Sequence, residues 1–262
     1  MIDTHCHFTS ADYDTDCDAV IQRAQEAGVT DFITIGTGPD DWQKCIALAE
    51  RNPAVRTAIG IHPNEASVFS TEAMFVLGSM ASQCRVVGIG ETGLDFYRDH
   101  APRDKQFDAF RAHLALSDEL KKPFILHCRA AEKEMLDVLE AHRVKTGRTL
   151  NGVWHCFTAA KEFGLRAAEM GLYFGLGGVL TYPKANEVRD AVAALPEDRL
   201  VLETDCPYLP PQPWRGKRNE PSFLSAIVQK LSDVRGTSPD SVRDFTTRNA
   251  LALFGVKTAT TV

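Results

Sequence analysis

The feature that most restricts the fold of this chain is a regular alternation of short β-branched runs with longer helical ones. VTDFITIG is followed by DDWQKCIALAERN and then VRTAIGIHP; TEAMFVLGSMASQ leads to RVVGIGETG, and APRDKQFDAFRAHLALSDELKK to PFILHCRAA. EKEMLDVLEAHRV precedes TLNGVWHCF, AAKEFGLRAAEMG precedes LYFGLGGVL, and KANEVRDAVAALP precedes RLVLETDCPYL. With MIDTHCH as the first strand, eight strand segments result, separated mostly by helical ones. This rhythm, in a chain of 262 residues, predicts an α/β fold of the (β/α)8 TIM-barrel type. A doubly wound open sheet would not need eight regular units, and no GxGxxG follows the first strand. No linker or low-complexity run divides the chain, so one domain over residues 1–262 is expected. PSFLSAIVQKLSDVRG and SPDSVRDFTTRNALALFG read as further helices, and PYLPPQPWRGKRNEP as the longest loop.

Composition narrows the class. Hydrophobic residues at 44% and charged residues at 24% describe an ordinary soluble protein. No apolar run approaches the roughly eighteen residues a membrane span needs. No basic flank precedes an apolar segment, so no secretory signal is expected. The seven cysteines form an odd set without CxxC spacing, which favours reduced thiols and a cytoplasmic location. A formal net charge of −6 argues against wholesale coating by nucleic acid or anionic lipid. It leaves room for a phosphate-bearing substrate, because bound divalent ions can dominate a local field.

Metal-capable side chains fall at the ends of the strand segments. His5 and His7 close the first, Glu91 ends RVVGIGE, His127 ends PFILH, His155 ends TLNGVWH and Asp205 ends RLVLETD. In a parallel barrel these ends form one rim, so distant residues meet there. Alternate strand residues share a face, so His5 and His7 point together and Cys6 points away. Cys128, Cys156 and Cys206 each follow a candidate ligand by one position and are expected to be small buried groups. Any one of these histidines alone reads as a surface coincidence or a hydrogen-bonded core imidazole. Jointly they occupy five strand ends, which those readings do not explain. Four imidazoles and two carboxylates are many for one ion that keeps an open position, and they distribute over two divalent ions. Glu91 is the geometric candidate for the bridge, with His5, His7 and Asp205 on one ion and His127 and His155 on the other.

The stretches DTHCH, AIGIHPNEA, VGIGETGLDFYRD, FILHCRAA, WHCFTA, LETDCPYLPPQPWRGKRNEP and RNALALF, in this order, closely resemble the TatD family of metal-dependent deoxyribonucleases, within the amidohydrolase-like superfamily. The resemblance implies a (β/α)8 barrel with a two-metal centre at its mouth. It carries the ligand roles onto His5, His7, Glu91, His127, His155 and Asp205, in agreement with the strand-end argument. Many relatives in the superfamily bridge with a carboxylated lysine; no lysine ends a strand segment here, so Glu91 fits the TatD type better. The chain departs from the family pattern at Ala159, where many members have glycine, and at Cys128, where serine is common. The resemblance further implies 3'-to-5' exonuclease action on single-stranded or frayed DNA, with RNA as a second candidate.

The expected chemistry is attack on phosphorus by a hydroxide generated between two ions of Mg2+, Mn2+ or Zn2+, with Glu91 and Asp205 catalytic and Asp205 accepting the water's proton. His62, Arg129, Arg215, Lys217 and Arg218 are the candidate substrate contacts, the last three through the basic loop WRGKR. Glu203, two positions before Asp205, is a candidate to orient a ligand from behind. Phe96, Tyr97, Phe157, Tyr208 and Trp214 offer aromatic surfaces on which a base could stack. No base-reading module is present, and no membrane partner is implied. The pattern leaves the oligomeric state open. Two rival readings remain: an amidohydrolase, lactonase or phosphotriesterase acting on a small molecule, and a noncatalytic nucleic-acid binding protein with a structural metal.

Overall fold

A computed structural model describes residues 1–98 and 100–255. Asp99 and the last seven residues of the expected 1–262 domain lie outside the described residues. Eight strands alternate with helices: β1 (Ile2–Cys6), α1 (Cys17–Glu26), β2 (Asp31–Gly36), α2 (Pro39–Arg51), β3 (Val55–Ile59), α3 (Thr71–Ala81), β4 (Val86–Asp95), α4 (Arg103–Leu120) and β5 (Phe124–Arg129). Then follow α5 (Glu132–Thr146), β6 (Gly152–Trp154), α6 (Lys161–Glu169), β7 (Tyr173–Leu176), α7 (Asn186–Ala194), β8 (Leu200–Leu202), α8 (Leu224–Arg235) and α9 (Pro239–Phe254). The strands lie in the order β1 to β8, every neighbouring pair parallel. The fold is a (β/α)8 barrel, as the alternation predicts.

Local chemistry sets the element ends. Pro39 opens α2, with Asp40 and Asp41 at its positive end and Arg51 at its negative end. The Ser238 hydroxyl caps α9 by accepting the Ser241 N–H at 3.1 Å, and Gly255 ends it at a φ of 61°.

The seam between β8 and β1 is closed by few bonds. The backbones of Cys6 and Cys206, whose thiols are free, form a single parallel β-bridge; the His7 N–H donates to the Cys206 carbonyl at 2.8 Å, and the Asp205 N–H donates to the His5 carbonyl at 2.9 Å. Buried Asp3 reinforces it, accepting the Thr204 N–H at 3.0 Å and the Thr204 hydroxyl at 2.6 Å.

Two apolar layers follow from strand parity. Ile33, Ile35, Ala58, Val87, Ile125, Val153 and Val201 pack with Ala250, Leu253 and Phe254, so the end of α9 plugs the barrel from below. Their neighbours Phe32, Val55, Leu126, Trp154, Leu200 and Leu202 pack with the helical layer. Two residues beyond Ile125, Val153 and Val201 stand His127, His155 and Glu203. The face that is apolar at the bottom therefore becomes polar at the mouth.

Strands β1 and β6 stop one residue before His7 and His155, and three strand ends differ more from expectation. Strand β4 runs on to Asp95, so Glu91 lies mid-strand, and β5 continues two residues past His127. Strand β8 stops at Leu202, and Asp205 lies three residues beyond it with a φ of 56°. The regular strand assumed from Glu203 to Asp205 is absent; the chain turns there because backbone bonds to β1 replace the strand ladder. In the loop after β6 the left-handed residue is Cys156, at a φ of 48°. Ala159 does not adopt a positive φ, so the glycine common in the family is not required for this conformation.

Candidate metal centre

Glu91 is 3% exposed and lies among five imidazoles. Its Oε1 faces His127 Nδ1 at 2.7 Å, His155 Nε2 at 2.8 Å and His62 Nε2 at 3.4 Å. Its Oε2 faces His5 Nε2 at 3.4 Å. On that second side His5 Nε2 and His7 Nε2 are 3.2 Å apart, and His7 Nε2 lies 3.2 Å from Asp205 Oδ1. All six residues assigned as ligands from strand ends come together, with Glu91 between two groups.

Electrostatics separates the rings. Burial pushes the Glu91 carboxyl up, but the charges of His155 and His62 and hydrogen bonds from His127 and His155 outweigh it and hold the group well below its usual range. Burial alone would lower His7, His127 and His155. Asp205 overrides it at His7, Asp95 and Glu91 at His127, and Glu91 and Glu203 at His155, so all three are raised. His5 and His62 are lowered, chiefly by burial. Burial raises Asp205, but bonding to His7 and the nearby histidine charges leave it lowered. The buried carboxylates Glu91 and Asp205 thus draw positive charge to the centre, a demand that divalent cations meet.

The donor set fits such ions. Imidazole nitrogens converge to 3.2 to 3.4 Å of one another, and carboxylate oxygens complete each group. At His127 a hydrogen bond behind the ring selects the tautomer. His127 Nε2 lies 3.2 Å from Asp95 Oδ2, which accepts its proton and leaves the Nδ1 lone pair for the centre. His155 turns Nδ1 toward Glu203 Oε1 at 3.6 Å and Nε2 inward. His62 differs. Its Nδ1 accepts the Asn64 N–H at 3.0 Å, so in neutral form its Nε2 carries a proton and faces the centre as a donor. It therefore suits an oxygen of a substrate or water better than a cation, although it clusters with Glu91 and His127.

Asp95 and Asn64 are not among the candidates that the sequence offers. Asp95 shares strand parity with Glu91, a signal that was present in GETGLD; the Asn64 backbone bond has no sequence signature. Glu203, 0% exposed, accepts the Cys156 N–H at 2.5 Å and supports His155 from behind.

The centre opens into a cleft of about 460 Å³ whose lining includes His62, Asn64, Arg98, Arg129, Asp205 and Tyr208. Arg215, Lys217 and Arg218 are exposed and do not line it. Arg218 pairs both guanidinium arms with Asp16 at 2.8 and 2.7 Å, and Arg215 donates to the Tyr182 hydroxyl at 2.7 Å. Among the aromatic candidates, Phe157 is core and Trp214 stacks on Phe223 at 4.3 Å, while Phe96 is covered by Arg103 at 4.0 Å. Tyr97 and Tyr208 stay exposed, at 65% and 54%.

A family model described as TatD related DNase matches residues 2–255. The chain belongs to the TatD family. This TatD-family chain is 38% identical over 263 residues to a protein of Erwinia amylovora named 3'-5' ssDNA/RNA exonuclease TatD, covering 98% of this chain and 100% of the relative. It is 33% identical over 256 residues to the Bacillus subtilis protein YabD, named an uncharacterized metal-dependent hydrolase, covering 98% and 99%. Among solved structures, YJJV, a TatD homologue of Escherichia coli K12, superposes with a TM-score of 0.92 at 31% identity over 98% of both chains. The protein is thus a metal-dependent hydrolase of the type that cleaves ester bonds. No helix among the described residues is long and apolar enough to cross a membrane.

Proposed function

We propose that this TatD-family hydrolase is a 3'-to-5' exonuclease acting on single-stranded or frayed DNA, and on RNA, through two divalent ions. The observation that carries the reading is Glu91, whose two oxygens face separate imidazole groups below an open cleft. His5, His7 and Asp205 are assigned to one ion, His127 and His155 to the other, and Glu91 to both. Zn2+, Mn2+ and Mg2+ are the candidate ions. Bound there, they would supply Lewis-acid charge to a phosphodiester and acidify the attacking water.

The chain's own groups supply the rest. Asp205 is the most open carboxylate of the set, 9% exposed, and is suited to take the proton of the nucleophile. The N–H at His62 Nε2 points into the same space and is suited to donate to a phosphate oxygen. Asp95 holds an imidazole proton on the far side of the His127 ring, so its inward nitrogen stays free, and the Glu203 carboxylate lies behind His155 at 3.6 Å.

The test is digestion of 3'-blocked and unblocked single-stranded oligonucleotides, DNA and RNA, with each metal, beside a panel of lactones, cyclic amides and phosphotriesters. Stepwise shortening from the free 3' end supports the reading. Turnover confined to the small molecules overturns it, as does nucleic-acid binding without cleavage after full metal loading.

A further inference from the structure

The basic groups that reach the cleft are not those of the basic loop. Arg98 and Arg129 line it, both are exposed, and neither has a carboxylate partner among the described residues. Their positions are tied to the metal centre. Arg129 follows His127 by two residues on the same strand and the same face, roughly 7 Å further toward solvent. The Tyr97 and Arg98 N–H groups donate to Asp95 Oδ1 at 3.0 and 2.9 Å, while Asp95 Oδ2 faces His127 Nε2. Asp95 and Arg129 are also direct partners in the β4–β5 register. The Arg129 guanidinium lies over the Tyr97 ring at 3.9 Å, and that of Arg98 at 5.9 Å. A guanidinium held over an aromatic face keeps N–H groups available for a phosphate and loses less freedom on binding.

We infer that Arg129 and Arg98, braced by Tyr97, form a second phosphate subsite for the phosphodiester adjoining the one that is hydrolysed. The separation from His127 is comparable with one nucleotide of an extended strand. This rests on the nuclease reading and deepens it: the preferred substrate has at least two consecutive phosphodiesters. For a 3'-to-5' enzyme the second lies on the 5' side of the cleaved bond. The strand then leaves over the β4 and β5 loops and not across the loop after β8.

The experiment compares dTpTpT with dTpT as substrates of the Mn2+-loaded full chain. The wild type has the lower KM for dTpTpT. Arg129→Gln and Arg98→Gln each raise that KM about tenfold with kcat little changed, which narrows the gap to dTpT. A second readout uses binding of labelled oligothymidylate in EDTA, where the slope of log Kobs against log salt shrinks by about 0.7 for each arginine removed. Equal KM changes on both substrates, or an unaltered salt slope, overturn the subsite. Failure of the wild type to hydrolyse either substrate overturns the nuclease reading instead, and the salt slope still judges the subsite.

Discussion

Glu203 reaches its place because residue 175 has no side chain. A Cβ on Gly175 would stand 2.0 Å from Glu203 Oε2, so Gly175→Ala must displace the carboxylate that backs His155 and holds the Cys156 N–H. We expect this substitution to lower stability by about 2 kcal/mol. We also expect it to reduce metal-dependent hydrolysis at least tenfold, as checked by urea unfolding and by metal titration. Glu91→Gln keeps the size of its side chain but removes the charge that serves both imidazole groups. Its expected outcome is near-complete loss of hydrolysis in a folded protein, checked by activity beside circular dichroism. His113 offers a test away from the centre. Buried between Ile61 N–H, accepted at 3.0 Å, and the Ala109 carbonyl at 2.7 Å, it is lowered to about 4 by burial. The unfolded chain protonates this imidazole near its ordinary 6.5 while the folded chain does not. Its contribution is thus present above that value and is lost as pH falls toward 4. In His113→Gln, unfolding free energy should fall less between pH 7 and pH 5 than in the wild type.

At the scale of elements, the loop after β8 is held by charges from α1 and the turn before it. Arg218 pairs with Asp16 and donates to the Asp12 carbonyl at 2.6 Å, and Arg23 pairs with Glu220 at 2.7 Å. Asn219 donates to the carbonyls of Thr204 at 2.8 Å and Tyr208 at 2.6 Å, while the Tyr13 hydroxyl donates to the Asn219 carbonyl. These bonds give Arg218, one of the basic residues of WRGKR, partners in the turn before α1. Arg218→Ala should therefore speed proteolytic cleavage within this loop, a change that limited trypsin digestion would detect. Strand β4 shows the converse. Its extension to Asp95 adds a carboxylate two turns of the pleat beyond Glu91, and that addition fixes both the His127 tautomer and the Tyr97–Arg98 backbone.

For the whole molecule, the barrel is plugged at one end by α9 and gathers charge at the other. Leu253, 3% exposed, packs into the plug. Leu253→Ala should cost about 2–4 kcal/mol in urea unfolding and leave the distant centre able to bind metal. At the mouth, the candidate ligands come from β1, β4, β5, the end of β6 and the loop after β8, so metal held there would link segments around the barrel. Metal at about a thousand times its dissociation constant should stabilise the fold by roughly 4 kcal/mol, and a chelator should reverse this in thermal unfolding.

Periodicity is a local property, and the sequence alone was enough for what depends on it. The β-then-α rhythm determined the barrel, and parity determined that His5 and His7 share a face and that His127 and His155 rise above Ile125 and Val153. Pairing is nonlocal, and the tertiary structure alone decided it. Arg218 meets Asp16 across about two hundred residues of chain, Asn64 selects the proton position on His62, and Asp95 lies behind His127. A charged side chain's role depends on which partner satisfies it first, and that partner is set by how the strands and loops close in space.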